Sequence, residues 1–313
     1  MSEGVDASSG RGSYAEPSVH QLRLFSVLAE ELHFGRSAAR LFMSQPAFSQ
    51  QIRMLEQRLG LRLVERTTRR VELTSAGQAL LSEARTVTAA MAGLRRTVES
   101  QSRAAAGRVV VGTLAAESAM PITRAILGEV HAKHPQLKVE LFNLNFVNQY
   151  DALARGEVDI AFLRPPVPAG FQTLKLAEEP RVVCLPADDS LAEKDVLTLD
   201  DLSARTMTTM PPESPRAWRD FWAVNPRPDG VPIHFGPVAV DVEGVLHAVA
   251  HGQAIGILPA SAREFYPRPG IRYRDIPGLQ PCEMSLTWTA RNRDRHDVEL
   301  IRTVARSVLR RSS

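Results

Sequence analysis

The chain has 313 residues, 44% hydrophobic and 23% charged, enough for two domains with an ordinary globular interior. No apolar run approaches a membrane span, and no charged N-terminal segment leads into an apolar one, which sets aside membrane and secreted proteins and leaves the cytoplasm as the expected compartment. Cys184 and Cys282 are too few for a disulfide framework or a cysteine metal site, and the net charge of +3 is unevenly placed.

Residues 1–107 hold 14 arginines, no lysine and 10 acidic residues, a net +4, and the remainder carries −1. Segment 36–70 alone holds 8 arginines against 2 glutamates, the footprint of a polyanion binder. Residues 1–17, rich in small polar groups, read as a disordered leader. Leu22, Phe25, Leu28 and Leu32 then repeat at helical spacing, and a short helix is predicted near 36–42. Met43 and Ser44 form a turn, Ser44 caps the next helix, and Pro46 is tolerated in its first turn. On that helix Phe48, Ile52, Leu55 and Leu59 share one face. Gln45, Pro46, Ser49, Gln50, Arg53 and Gln57 share the other, with no acid among them. Gly60 suits a left-handed cap.

Leu61–Leu73 alternates around Glu65-Arg66-Thr67-Thr68-Arg69-Arg70 and predicts a two-stranded wing. Helix, helix–turn–helix and wing in that order make a winged helix–turn–helix. A long helix follows the predicted cap Thr74, running to about residue 103. Its Leu80, Ala84, Val87, Met91, Leu94 and Val98 form a narrow seam that predicts a dimerising stem. Beyond Ala104–Gly107, strands alternate with helices. Strands are expected at 108–113, 137–144, 158–163, 180–185, 238–242, 254–258 and 284–290. Helices are expected at 118–132, 148–155, 243–251 and 298–309, with loop and short helix over 188–205. This alternation predicts α/β layers with parallel sheets, and the Pro- and Arg-rich stretches 164–170, 211–216 and 225–237 read as loops around a cleft. The expected organisation is therefore a leader 1–17, a DNA-binding domain 18–77, a linker helix 78–107 and an effector domain 108–313.

Residues 18–83 resemble the LysR-type transcriptional regulators. The match runs through Gln21-Leu22, Ser37-Ala38-Ala39-Arg40-Leu41, Ser44-Gln45-Pro46-Ala47-Phe48-Ser49, Leu55-Glu56, Leu59-Gly60, Leu63-Val64-Glu65-Arg66 and Leu73-Thr74-Ser75-Ala76-Gly77. More loosely, Arg155-Gly156-Glu157-Val158-Asp159-Ile160-Ala161 and the run from Val249 to Pro259 resemble landmarks of the same family. The resemblance implies a periplasmic-binding-protein-like effector domain of two α/β lobes with a ligand cleft. It also implies dimers through the linker helix assembled into tetramers, and control by a small molecule. One departure stands out. The family commonly has arginine directly after the recognition-helix serine, and this chain has Gln50. Either Arg53 shares the guanine-reading role or Gln50 selects a different base.

The residues expected at the DNA groove are Ser44, Gln45, Pro46, Ser49, Gln50 and Arg53, because amides and guanidinium match base edges. Arg36, Arg66, Arg69 and Arg70 are expected at phosphates, where they fix register without reading sequence. For the effector, Thr113 and the chain up to Ser118 form a corner suited to an anion, resembling the place where the family grips carboxylates. Arg164 and Pro165 follow the strand ending at Leu163, and Ser214, Pro215 and Arg216 lie in a loop that touches ligand in similar aromatic-acid-responsive members. Glu243, His247 and His251 stand four apart on one helix, but no further ligand is evident, so neither a metal nor a cofactor is expected. A pure small-molecule binder leaves the recognition helix unexplained. An enzyme finds no phosphate loop, dinucleotide fingerprint or Gly-x-Ser-x-Gly elbow.

Overall fold

The structure is a computed structural model that describes residues 15–66 and 70–312, apart from the side chains of Arg66 and Ser312. The chain divides into two compact units between Arg95 and Arg96.

The first unit opens with α1 (Val19–Glu31), started by a capping box in which Ser18 and Gln21 exchange hydrogen bonds. Next comes α2 (Phe34–Arg40), which begins two residues earlier than expected because His33 Nδ1 accepts from the backbone N–H of Arg36 at 3.2 Å. Then follows α3 (Gln45–Leu59), with Ser44 as its cap and Gly60 in the left-handed region at φ 66°. Phe25 and Leu28 of α1, Phe34 and Ala38 of α2, and Phe48, Ile52 and Leu55 of α3 make a common core. The rings of Phe34 and Phe48 meet edge to face, with centroids 5.9 Å apart. The wing is β1 (Val64–Arg66) paired antiparallel with β2 (Val71–Leu73). Residues 1–14 of the expected leader lie outside the described residues. Of its last three, Ala15 and Glu16 are not loose, since Ala15 N donates to Arg58 O and Arg58 Nη1 to Glu16 O.

The long helix is α4 (Ser75–Ala105). Thr74 starts it: its hydroxyl accepts from Gly77 N at 2.9 Å and donates to Arg62 O at 2.7 Å. A Cβ on Gly77 would lie 2.1 Å from the carbonyl oxygen of Leu63, so only glycine lets helix and wing approach this closely. These contacts give physical content to Leu73-Thr74-Ser75-Ala76-Gly77. On α4, Ala84 is buried, and Val87, Met91, Leu94 and Val98 are exposed.

The second unit has two lobes. The first is a five-stranded sheet in the order β4-β3-β5-β12-β6, from β3 (Arg108–Leu114), β4 (Lys138–Leu144), β5 (Ile160–Leu163), β6 (Phe171–Glu179) and β12 (Cys282–Thr289). β3 runs parallel to β4 and β5, but β12 is antiparallel to β5 and β6. Helices α5 (Pro121–Lys133) and α10 (His296–Ser312) contribute Ile126, Val130, Val298 and Ile301 to one core with Val109, Ile160 and Leu286 of the sheet. The remaining helix of this lobe is α6 (Gln149–Arg155), closed by Gly156 at φ 73°. The second lobe holds β7 (Arg181–Pro186) between β10 (Gly256–Pro259) and β11 (Ile271–Asp275), both antiparallel to it. A parallel pair, β8 (Thr206–Thr209) and β9 (His234–Val238), joins through Ile255, whose N–H donates to Thr206 O and whose carbonyl accepts from Thr208 N. Helices α7 (Arg216–Ala223), α8 (Val242–Ala250) and the single turn α9 (Ala262–Phe265) complete it.

Three expectations are corrected. The five-stranded sheet is mixed and the three-stranded one antiparallel, where parallel sheets were expected. The strand expected at 238–242 lies at His234–Val238, because Asp241 caps α8 through Gly244 N at 2.8 Å and ends extended pairing there. Strands β6 and β11 and helix α7 occupy stretches to which the sequence assigned no element.

Asp159, fully buried, ties the last turns of α4 to the first lobe. Its carboxylate accepts from Ser100 Oγ at 3.0 Å, Arg295 Nη1 at 2.6 Å and the backbone N–H of Val110 at 2.9 Å. Arg103 Nη2 lies 3.5 Å away and also donates to Gly156 O.

Candidate functional site

The first candidate site is the outer face of α3. Phe48, Ile52 and Leu55 are fully buried, and Gln45, Pro46, Gln50, Arg53 and Gln57 are exposed, with Ser49 half-buried at the border. Ser44 is exposed and its hydroxyl accepts from Ala47 N at 3.4 Å. Arg53 makes no ion pair or hydrogen bond among the described residues, so its five donors face solvent. Nothing acidic interrupts this face. The arginines of α2 differ. Arg36 donates to the carbonyl of Glu31 at 2.6 Å and lies 3.3 Å from its carboxylate, and Arg40 pairs with Glu30 and Glu31. A phosphate at Arg36 therefore has to share or displace Glu31. In the wing, Arg70 is exposed, with Nη1 3.8 Å from Glu72. Arg69 lies outside the described residues, and of Arg66 only the backbone in β1 is described. Glu56 Oε1 accepts from the N–H groups of Leu63 and Val64, which fastens the root of the wing to the recognition helix.

The second candidate site is a cavity of about 310 Å³ between the two lobes. Phe146, Trp218, Trp222, Phe235, Phe265 and Tyr266 give it aromatic walls, and Met120, Met207 and Met210 fill between them. Its most buried polar cluster is a charged row. Arg164 Nε donates to Glu117 Oε1 at 2.5 Å, Nη2 to Glu179 Oε1 at 2.6 Å and Nη1 to Cys282 Sγ at 3.3 Å. Burial pushes the Glu117 pKa up, against the pull of Arg164. Burial likewise pushes the Cys282 thiol up to about 11 and the Tyr266 phenol up to about 12.

Of the six effector residues read from sequence, Arg164 alone lines this cavity. Thr113 is buried, but side chains alternate along a strand, and its neighbour Leu114 is the one that faces the ligand space. Ser118 ends a four-residue 3₁₀ turn and is half-buried outside the lining. The expected anion corner is instead occupied by the chain's own carboxylate, Glu117. Ser214 is buried and donates to the carbonyl of Phe146 at 2.8 Å, which supports a wall from behind. Pro215 starts α7, and Pro165 lines a separate hollow beside Arg181. Arg216, weighed with that loop, does reach the cavity and lies 3.3 Å from Asp220. Sequence reasoning missed Glu117, Trp218, Trp222 and Tyr266. The Trp-x-x-x-Trp spacing in 218–222 was the available signal, since it sets two indoles on one helical face.

On α8 the Glu243 carboxylate is taken by Arg268 Nη2, and the imidazoles of His247 and His251 stack with centroids 4.2 Å apart.

Comparison with known proteins matches both domains to a family. Residues 19–78 match the family model described as bacterial regulatory helix-turn-helix protein, lysR family, and residues 102–312 match the LysR substrate binding domain. HTH-type transcriptional regulator AlsR of Bacillus subtilis (strain 168) is 31% identical, over 89% of this chain and 91% of that protein. HTH-type transcriptional regulator XapR of Escherichia coli (strain K12) is 32% identical, over 85% and 90%. Among solved structures, CbnR, a LysR family transcriptional regulator, superposes with a TM-score of 0.61 at 23% identity, covering 93% of this chain and 99% of that one. Full-length CbnR complexed with its target DNA gives the same TM-score at 24% identity.

Proposed function

The chain belongs to the LysR family of DNA-binding transcriptional regulators with an effector-binding domain, and on that premise we propose that it reads its operator with Gln45, Pro46, Ser49, Gln50 and Arg53 and answers to a small molecule held in the interlobe cavity. The observation that carries the reading is the two-sided α3, whose apolar face is fully buried and whose polar face is solvent-exposed and free of acids. Ser44 keeps the groove-entering end of the helix capped. Arg36, Arg66, Arg69 and Arg70 serve as phosphate contacts that set the register. Val87, Met91, Leu94 and Val98 support a dimer through α4, because an exposed heptad seam gains from burial against its copy, and two such dimers make the tetramer. We read it as cytoplasmic, since a regulator of transcription works beside DNA. The expectation of a carboxylate effector rested on the anion corner from Thr113 to Ser118, which Glu117 occupies. Arg164 is already held by Glu117, Glu179 and Cys282, which favours an effector with an apolar body seated among the aromatic walls.

The test is a titration of the full-length protein against genomic fragments in calf-thymus competitor, at several salt concentrations. A steep fall of log affinity with log salt, together with one fragment class bound roughly 10³-fold or more tightly than the competitor, supports the reading. Equal binding to all fragments overturns it.

A further inference from the structure

Resting on the cavity as effector site, we infer that the effector presents a hydrogen-bond donor to Glu117 (a hydroxyl, amide N–H or ammonium) and that a carboxylate at this end is disfavoured. Arg164 uses Nε on Glu117, Nη2 on Glu179 and Nη1 on Cys282. Every nitrogen of Arg164 thus has a partner, and so has each oxygen of Glu179: Oε1 accepts from Arg164 and from Ser261 Oγ, and Oε2 accepts from the backbone N–H of Ser261 at 2.6 Å. Glu117 differs. Its Oε1 accepts from Arg164, and its Oε2, on a residue only 5% exposed, has no hydrogen-bond partner.

A buried carboxylate oxygen without a donor is costly, so a ligand that supplies one gains affinity a merely apolar ligand lacks. The charges point the same way. One guanidinium lies between two carboxyl groups, and a ligand carboxylate would add a further acidic group beside them. Glu117 in turn acts on the phenol of Tyr266, which stays neutral at physiological pH. The aromatic walls accept a cation as readily as a neutral ring. A donor at Oε2 favours the ionised carboxylate. Affinity for a neutral donor therefore falls as pH is lowered through the titration of Glu117, and a ligand carboxylate shows the opposite trend.

The experiment compares benzyl alcohol, benzylamine and benzoate, which share a ring and differ in the polar end. Each is titrated into the full-length protein and into Glu117→Gln, with binding followed by calorimetry and by the indole N–H resonances. The chain has three tryptophans, of which Trp218 and Trp222 line the cavity and Trp288 does not. The expected result is that benzyl alcohol and benzylamine move the Trp218 and Trp222 signals and leave Trp288 in place, with benzoate at least tenfold weaker. In Glu117→Gln the advantage of benzylamine over benzoate should fall about tenfold. If benzoate binds the cavity as tightly as benzylamine, or Glu117→Gln leaves the ratio unchanged, the assignment of Glu117 is overturned and the cavity remains the effector site. If none of the three probes moves either indole, the site and the assignment fall together.

Discussion

On α3 the polar face is largely exposed and Arg53 has no counter-charge among the described residues, whereas in the cavity the buried guanidinium is enclosed by carboxylates from its own chain. The difference follows from the partner each surface meets. DNA brings its own dense negative charge and releases counterions on contact, so an uncommitted arginine on the protein surface is the useful arrangement. A buried charge cannot wait for its partner, because desolvation without a counter-ion would destabilise the fold, so the protein supplies the partner itself. Within the charged row, selectivity is left to Glu117 Oε2, an oxygen the chain itself does not satisfy.

That contrast can be broken most forcefully at Arg164. Arg164→Met leaves Glu117 and Glu179 facing each other in an apolar surround and should cost about 3–5 kcal/mol of effector-domain stability, measured by urea unfolding. A loss under 1 kcal/mol would mean the row is not electrostatically coupled. Gly77→Ala drives a methyl into the Leu63 carbonyl, with an expected loss of about 1–3 kcal/mol. The accompanying weakening of operator binding, read by fluorescence anisotropy, should leave probe binding in the cavity untouched. Arg53→Ala should cost about 1–3 kcal/mol on the operator and far less on random duplex. Arg70→Ala should weaken both duplexes alike and lower the salt slope by about one. Equal losses on both duplexes for Arg53→Ala would place it among the phosphate contacts.

The smallest effect concerns Glu117→Gln without ligand. Burial raises the Glu117 pKa, so its ionised form is a burden on the fold at neutral pH. A group with a raised folded pKa contributes most below its unfolded value and loses that contribution as pH rises through the folded value. Glu117→Gln should therefore raise the melting temperature at pH 7.5, with the gain shrinking as pH falls toward the ordinary carboxylate range. A gain that stays constant with pH would assign the effect to packing.

The two regions also differed in how far the sequence exposed them. The recognition helix was legible because its code is local: Phe48, Ile52 and Leu55 recur at helical spacing, and Ser44 and Gly60 punctuate the ends. The wing and the start of α4 were legible for the same reason. The five-stranded sheet was not, since β12 enters between β5 and β6 from more than a hundred residues away. Strands β6 and β11 escaped notice because neither is a run of apolar residues: β6 is mostly half-exposed, and β11 reads Ile-Arg-Tyr-Arg-Asp. Arg164 lines the cavity, but its partners Glu179 and Cys282 lie 15 and 118 residues along the chain. No short-range pattern announces a guanidinium already spoken for.

The buried knot at Asp159 decides how the far end of α4 responds to movement. Ser100 and Arg103 are gripped by a carboxylate that also holds Val110 of β3 and Arg295 beside α10. The helix is thus clamped like a beam set in masonry rather than pinned like a hinge. A tilt of the first lobe is carried into the last two turns of α4 as torque, with little slack to absorb it.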